Sequence, residues 1–591
     1  MKRLFLHILL LMLASSAYSQ YYLRGEVKDE KNQPLQNAKI FLHSTRMLYY
    51  SGTYGGFGIN VKNQYDSLTI SLDGYESKTV RVKTDIWQTI QLKLGESNSS
   101  KNKPKLISVT KDLNEHSKYS WFTDDETYFQ LVENSYVNAS NYPNTGFALN
   151  VNKASYSNVR RFINMGSTVP PDAVRTEEMM NYFNIFYQEP AKNEIFRISS
   201  QLSACAWDPQ KQLLYLNVSA KKLNLDKIPP SNLVFLIDVS GSMDMPNRLP
   251  LLKAAFQMFV KNLRPIDTVS IVTYGGYVGT WLQPTSGAEK EKILESIESL
   301  TAAGDTPGES AIRAAYQVAG STFIKGGNNR VILATDGDFN VGETTEKALD
   351  ELITKQRQTG IYLTCLGVGM GNFKDSKLQT LAKKGNGNYA YLDDIQEAEK
   401  VLVKEITQTF YAVADDVYMN VTFNPSMVKQ YRLIGFDNRK DAVTDSTSEL
   451  EGGEIGSGNS TLAIFEIVPT QQNLLTQNTS VTDDIAALSL RYSMCNDTSH
   501  RHVDYRVKNN FIPVDSLHKE LRFITAVTMF GLKLRQSPYI DKKVDWDFIR
   551  AAADPVADKQ NYLQAEFLKL IDKAEEIYDP KKKKKKKKEK E

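Results

Sequence analysis

Three oxygen-bearing side chains follow one of the most apolar runs of the sequence. The stretch "LVFLIDVSGSMD" covers residues 233–244, and in it Asp238, Ser240 and Ser242 occupy alternate positions. One interpretation is a turn that caps the next helix, because short polar side chains accept hydrogen bonds from free backbone N–H groups. The other is that the oxygens converge on a bound ligand. The choice depends on which other residues the fold brings to the same place.

The segment 232–413 predicts the fold that would position them. Strands rich in Val, Ile and Leu alternate with helical segments: "LVFLID", "DTVSIVTYG", "NRVILATDG" and "IYLTCLGVG" are the clearest. Such continuous apolar strands are typical of a parallel sheet covered by helices on both faces. The alternation predicts a doubly wound α/β domain, Rossmann-like in architecture, whose last helix runs through Phe410.

Ligands of an open α/β sheet lie beyond the carboxyl ends of its strands. Asp336 in "VILATDGDFN" follows a second strand, and Thr306 in "AAGDTPGES" lies in a loop before a helix. Two carboxylates and three hydroxyls, without nitrogen or sulfur, suit a hard divalent cation, Mg²⁺ first and Mn²⁺ or Ca²⁺ next. Hydroxyl ligands are neutral, so the metal would keep charge to attract an outside carboxylate. We therefore predict a metal site formed by Asp238, Ser240, Ser242, Thr306 and Asp336.

These motifs resemble a known site. "DVSGSM", Thr306 and the "TDG" of Asp336 are similar to the metal-ion-dependent adhesion site (MIDAS) of von Willebrand factor type A (VWA) domains. From Phe122 to the C-terminal helices the chain also resembles the bacterial YfbK-like group, in "ASYSNVRRFINMG", "EEMMNYF", "GGNNRVILATDGDFNVG", "GNGNYAYLDD" and "YRLIGFDNR". The resemblance implies an exported or envelope protein with a metal-dependent interaction module and no defined activity.

One segment departs from that group. Where the group commonly has "DVDTASYS", this chain has "NVNKASYS", with Asn150, Asn152 and Lys153. If the aspartates of the group bind a second ion, this chain has lost it. The alternative, which we favour, is an exposed hairpin whose sequence has drifted without consequence.

Acidic side chains also surround the predicted ligands. Asp244, Asp305, Glu309 and Asp338 each lie within a few residues of one of them. Their charge would help to hold a cation but would repel an incoming carboxylate. Our hypothesis is that the partner presents a basic group beside its acidic one, or that the site binds metal tightly and ligand weakly. The alternative is that these charges are simply solvated.

The rest of the chain predicts further domains, because 591 residues exceed a single core. A basic start, an apolar centre and small residues before Gln20 indicate a signal peptide, which predicts export to the periplasm, the cell envelope or the medium. Short alternating strands after it predict a small β-sandwich. That segment resembles the carboxypeptidase regulatory-like domain in "GEVKDEKNQPLQNAKIFL", although Gly52 stands where that family has an aspartate.

Strands on both sides of the α/β domain are expected to pair in a second sandwich, followed by C-terminal helices. The overall class is multidomain α/β plus β. The predicted boundaries are 1–19 for the signal peptide, 20–95 for the sandwich, 96–120 for a linker, 121–231 for a VWA-associated region, 232–413 for the VWA domain, 414–578 for a β and helical region, and 579–591 for a disordered tail.

The excess of positive charge lies at the ends of the chain. Residues 581–591 hold nine lysines and two glutamates, while the whole chain has a formal net charge of only +3. The body is therefore mildly acidic, which argues against nucleic acid as a partner. The run Lys581–Lys588 either contacts an anionic membrane or envelope surface or is a solubilising end.

Several chemistries are disfavoured. No histidine lies between residues 117 and 499, so the α/β domain lacks the imidazole that a Ser-His-Asp hydrolase needs. No phosphate-binding loop motif is present. Three cysteines at 205, 365 and 495 form no disulfide framework. The pair His500 and His502 lacks further zinc ligands and is interpreted as a solvated loop.

We therefore expect a non-enzymatic protein that binds an acidic side chain of a protein partner through a divalent cation. Two alternatives stay open. The protein could be an envelope scaffold whose metal only stabilises the fold, or an accessory protein of a hydrolase.

Overall fold

A computed structural model describes residues 21–580 except 31, 46, 53, 62, 73–74, 94–125, 276, 305–307, 338–342, 371–372, 438–451, 472–483 and 495–498. The chain divides into two compact units, residues 1–116 and 117–591. The predicted signal peptide, the whole of the predicted linker and the lysine tail lie outside the described residues.

The first unit is a β-sandwich. Its two sheets have the strand orders β4-β1-β7 and β3-β2-β5-β6. Alternate residues of the strands, such as Leu23 and Val27 in one sheet and Ile40 and Leu68 in the other, meet in one apolar core. The strands are β1 (Tyr21–Lys28), β2 (Lys39–Leu42), β3 (Met47–Tyr50), β4 (Gly56–Val61), β5 (Tyr65–Ser71), β6 (Lys78–Lys83) and β7 (Gln88–Gln91).

The second unit contains the α/β domain between two flanking segments. The first flank consists of β8 (Val137–Asn138), β9 (Asn144–Ala148), α1 (Ala154–Asn164), α2 (Thr176–Asn181), β10 (Phe196–Cys205) and β11 (Asp208–Ala220). The α/β domain consists of β12 (Ser231–Asp238), α3 (Leu249–Lys261), β13 (Thr268–Gly275), β14 (Tyr277–Ser286), α4 (Lys290–Glu298), α5 (Gly308–Ser321), β15 (Asn328–Thr335), α6 (Glu343–Gln358), β16 (Ile361–Val368), α7 (Asp375–Lys384), β17 (Tyr389–Leu392), α8 (Ile395–Glu399) and α9 (Ile406–Phe410).

The second flank consists of β18 (Ala412–Phe423), β19 (Val428–Ile434), β20 (Gly453–Gly456), β21 (Ser460–Pro469), β22 (Asp484–Ser493), β23 (His500–Lys508), β24 (Phe511–Ile512), α10 (Lys519–Leu534), α11 (Trp546–Ala553) and α12 (Tyr562–Tyr578). Short 3₁₀ turns lie at Pro171–Ala173, Leu225–Lys227, Gly241–Met243 and Val514–Ser516.

The α/β sheet has the order β14-β13-β12-β15-β16-β17 and is parallel except for β14. Both faces of the central strand β12 are covered by helices. Phe235 and Ile237 belong to the core that includes α3 and α4, whereas Val234 and Leu236 belong to the core that includes α5 and α7. This confirms the doubly wound fold. Sequence patterns did not predict the antiparallel edge strand β14, which contains Pro284, a residue tolerated at sheet edges.

The flanks form a second sandwich, as expected from their strands. One sheet has the order β24-β10-β11-β21-β19-β8, and the other has β20-β18-β22-β23 with β9 paired to β18. Their inner faces share one core. Each sheet contains strands that precede the α/β domain in the chain and strands that follow it. The α/β domain is therefore an insertion between two parts of the sandwich. A separate apolar core joins α1 and α2 to the C-terminal helices α10, α11 and α12.

Two predicted helices differ from the structure. The sequence pattern of "RTEEMMNYFNIF" predicts a helix along the whole segment, but the segment is helical only over Thr176–Asn181, because Asn184 and Phe186 adopt positive φ angles of 48° and 53°. The helix predicted to run through Phe410 is interrupted, since a π-helical turn at Lys400–Lys404 separates α8 from α9.

Buried arginines join the α/β domain to the flanks. Arg330 of β15 pairs with Glu454 of β20, with Nη2 and Oε2 2.9 Å apart and side chains 1% and 4% exposed. Arg175 of the first flank pairs with Asp375 of α7 at 2.7 Å. Arg160 of α1 contacts Asp393, just after β17, and also Glu397 and Glu566. A buried ion pair is costly to break because the remaining charge stays desolvated.

Substituting Arg330→Met is therefore expected to lower the free energy of unfolding by about 3 kcal/mol, because Glu454 would be left buried without its cation. The double variant Arg330→Met, Glu454→Gln should recover part of that loss. Denaturant unfolding curves would measure both, with Arg501→Met on the exposed face of β23 as the control. A single variant as stable as the wild type would show that this pair does not secure the domain.

Candidate metal site

The site begins where β12 ends. Asp238 is the last residue of that strand and its carboxylate is buried. Its Oδ1 accepts a hydrogen bond from the Ser240 backbone N–H at 2.9 Å, and its Oδ2 accepts one from the Thr335 hydroxyl at 2.8 Å. The carboxylate is thus oriented from its own loop and from the neighbouring strand β15.

The two serines lie together. Ser240 Oγ and Ser242 Oγ are 3.1 Å apart, at the start of and within the turn Gly241–Met243. The same turn is hydrogen-bonded to the loop before α5: the Gly241 N–H donates to the Gly304 carbonyl at 3.0 Å. That loop continues to Thr306, the fifth predicted ligand, which lies outside the described residues.

Asp336 directly follows β15, the strand beside β12, and it is also buried. Its Oδ2 accepts a hydrogen bond from Arg248 Nη1 at 2.7 Å. Burial raises the pKa of Asp238 to about 6; hydrogen bonds from Ser240 oppose this shift, and the charge of Asp336 adds to it. The structure therefore brings four of the five predicted ligands to one edge of the sheet.

The donor set fits a hard divalent cation. In the described part of the site every candidate donor is a carboxylate or hydroxyl oxygen, which is the chemistry that Mg²⁺ prefers. A buried carboxyl whose ionised form is disfavoured is also the kind of group that a cation would stabilise. Asp238, Ser240, Ser242 and Asp336 would hold the metal, directly or through water.

Sequence reasoning missed Arg248. Its guanidinium is almost fully buried, and besides Asp336 it donates to the carbonyl oxygens of Ser242 at 2.7 Å and Met370 at 2.9 Å. A signal was available: the residue immediately precedes α3, and the N-terminal end of a helix disfavours positive charge. An arginine at this position must therefore be stabilised by contacts other than those with the helix.

The segment "NVNKASYS" is not the exposed hairpin that we favoured. Lys153 is 15% exposed, and its ammonium lies 2.9 Å from Glu405 Oε2 and 3.1 Å from Gln408 Oε1. Asn152 Oδ1 accepts a hydrogen bond from the Tyr389 backbone N–H of β17. The exposed-hairpin prediction is wrong because the segment packs against the end of the α/β domain, where Lys153 supplies a positive charge next to Glu405.

Other predicted residues fall into three groups. Asp244 is exposed beside the site. Asp305, Asp338 and Cys495 lie outside the described residues, as does the side chain of Glu309. His500 and His502 are exposed, as predicted, but they lie on strand β23, so the prediction of a loop is wrong.

Elsewhere, the thiols of Cys205 and Cys365 are buried, and burial raises the pKa of each, as expected of unreactive core thiols. Among the described residues no three His, Cys, Asp or Glu side chains form a metal cluster. None of the helices in that part of the chain is long and apolar enough to cross a membrane.

The fold and this site define a class of protein. Residues 232–406 match the von Willebrand factor type A domain family, residues 122–215 match a von Willebrand factor family, and residues 23–105 match the CarboxypepD_reg-like domain. Residues 408–577 match the family described as "Uncharacterized protein YfbK, C-terminal".

Comparison with individual proteins shows the family to which the chain belongs. YfbK of Escherichia coli K12 is 36% identical over 474 residues, which cover 76% of this chain and 81% of that protein. The chain belongs to the YfbK family of VWA-domain proteins. It is also 28% identical over 209 residues to human inter-alpha-trypsin inhibitor heavy chain H2, covering 34% of this chain and 21% of that one. A von Willebrand factor type A structure from Catenulispora acidiphila aligns with 55% of this chain and 76% of its own, at 14% identity and a TM-score of 0.36.

The raised pKa of Asp238 predicts a pH-dependent response to metal. Without metal the ionised carboxylate is disfavoured in the folded state, so stability should fall as pH rises from about 4 through about 6. Because Mg²⁺ needs the carboxylate, its apparent affinity should be about tenfold weaker at pH 5 than at pH 7.5.

Melting temperatures of chelator-treated protein, with and without MgCl₂ at both pH values, would measure this effect. The variant Asp238→Asn is the control and should show little shift at either pH. A shift of equal size at pH 5 and 7.5 in the wild type would contradict the prediction.

Proposed function

We propose that this protein is a divalent-metal-dependent protein-binding module. Asp238, Ser240, Ser242, Thr306 and Asp336 hold Mg²⁺, with Mn²⁺ or Ca²⁺ as substitutes, and a carboxylate of a partner protein completes the metal shell. The observation that carries the proposal is the contact of the Ser240 and Ser242 hydroxyls beside the buried Asp238 carboxylate, at the edge of the sheet where ligands bind.

The charges of the candidate ligands support a role in binding a carboxylate of a partner protein. The serine ligands are neutral, and Arg248 offsets part of the negative charge of Asp336. A cation held in this way keeps much of its positive charge, so it attracts an external carboxylate. The exposed Asp244 beside the site favours a partner that carries a basic group next to its acidic one.

A binding role also accounts for the serines better than catalysis does. Ser240 contacts Ser242 and Asp238, an arrangement suited to holding a cation. A nucleophilic serine needs a base such as imidazole within hydrogen-bond reach, and the sequence places no histidine between residues 117 and 499.

The test is capture of partner proteins from an envelope extract by the chain without its first 19 residues. Prey should be retained in MgCl₂ and lost both in chelator and with Asp238→Ala, because each treatment removes the metal. The matched control is Asp504→Ala, an exposed aspartate on β23.

Mass spectrometry of the retained proteins is the readout, with a melting curve of each variant to confirm folding. Prey retained in chelator and by Asp238→Ala would refute the metal-dependent role. A chelator that lowers the melting temperature without releasing prey would favour the scaffold alternative.

We further propose that the protein is exported through its first 19 residues and that Lys581–Lys588 contact an anionic surface. Each lysine close to anionic lipid contributes up to about 1 kcal/mol. Deleting residues 581–591 should weaken sedimentation with anionic vesicles at least tenfold at low salt and leave neutral vesicles unaffected. Equal binding of both forms to anionic vesicles would assign the tail no surface role.

A further inference from the structure

Arg248 is buried at a place that disfavours a cation. It precedes the first turn of α3 and makes no backbone capping hydrogen bond with its side chain, and that side chain is only 7% exposed. Both the helix dipole and the loss of hydration oppose a positive charge here. Its position therefore depends on the specific groups that it contacts.

Those groups lie on three separate loops at the ligand-binding edge of the sheet. Nη1 donates to Asp336 Oδ2 and to the Ser242 carbonyl oxygen, each at 2.7 Å, and Nη2 donates to the Met370 carbonyl oxygen at 2.9 Å. Two of the three acceptors belong to predicted metal ligands. A planar guanidinium suits this task because its donors point in fixed directions.

The third loop is shaped around the guanidinium. Gly369 has φ +80°, and a Cβ built there would lie 2.5 Å from Arg248 Nε. Glycine is therefore needed at this position for both its backbone conformation and its lack of a side chain. The close contact between this loop and Arg248 therefore depends on a glycine at position 369.

We propose that Arg248 is a positioning residue of the metal site, which fixes Asp336 and the Ser242 turn relative to Asp238 and so strengthens divalent-cation binding. This inference rests on the proposed metal site and not on the partner. A purely electrostatic account makes a different prediction, because removing a nearby positive charge should strengthen cation binding. The two accounts therefore predict opposite signs.

The experiment is calorimetric titration of Mg²⁺, and separately Mn²⁺, into chelator-treated protein lacking only the first 19 residues. Arg248→Met should weaken binding at least tenfold, and Arg248→Lys should recover part of it because a charge remains without the guanidinium geometry. The matched control is Lys253→Met on α3, since Lys253 donates to the Leu300 carbonyl and contacts Glu298 rather than a ligand residue. It should bind Mg²⁺ as the wild type does or slightly more tightly.

Binding by Arg248→Met that equals or exceeds the wild type would overturn the positioning role. A wild type that binds no Mg²⁺ would overturn the proposed metal site itself, and this inference with it. If Arg248→Met does not fold in chelator, Arg248→Lys and Gly369→Ala provide the comparison, because the added methyl would displace the guanidinium.

A double-mutant cycle with Asp336→Asn separates positioning from general stability. If Arg248 acts through Asp336, the two substitutions together should weaken Mg²⁺ binding by much less than the product of their separate effects. Fully multiplicative effects would contradict the proposal.

Discussion

The second unit depends on one constraint: a strand buried on both faces ends in a carboxylate. Every residue of β12 is buried, including Asp238. Burial on both faces requires helices on both sides of the sheet, and a buried carboxylate requires hydrogen-bond donors or a cation near it. The helical layers and the polar loops at the end of the strand both follow from this. The edge at which the strand ends is also the place where an α/β sheet binds ligands.

Buried charges are paired in the interior of the second unit but are not fully balanced at the candidate metal site. Arg330 with Glu454 and Arg175 with Asp375 are enclosed pairs that join the inserted domain to its flanking segments. Among the described residues of the ligand-binding edge, the buried carboxylates of Asp238 and Asp336 carry two negative charges and the buried guanidinium of Arg248 carries one positive charge, so negative charge remains there. That remainder, together with the neutral serine hydroxyls, accounts for our proposal that a divalent cation belongs there.

The attachment of the α/β domain also bears on the site. The C-terminal part of that domain consists of α8, a π-helical turn and α9. Flanking residues contact it on each side of the turn: Arg160 contacts Glu397 before it, and Lys153 contacts Glu405 after it. The segment "NVNKASYS" thus has a structural role in this chain. Its departure from the resembling group places an ammonium in the junction between the sandwich and the α/β domain.

The sequence by itself determined the α/β class and predicted that Asp238, Ser240, Ser242 and Asp336 lie together beyond the strand ends, because apolar strands with helices between them and oxygen-bearing side chains after them are local patterns. It did not determine the place of Arg248 or the burial of Lys153. Their partners, Asp336 and Glu405, are 88 and 252 residues away in the chain. Nor did it reveal the edge strand β14 or the break in the last helix. Only packing between distant segments brings such groups together, and no local periodicity records it.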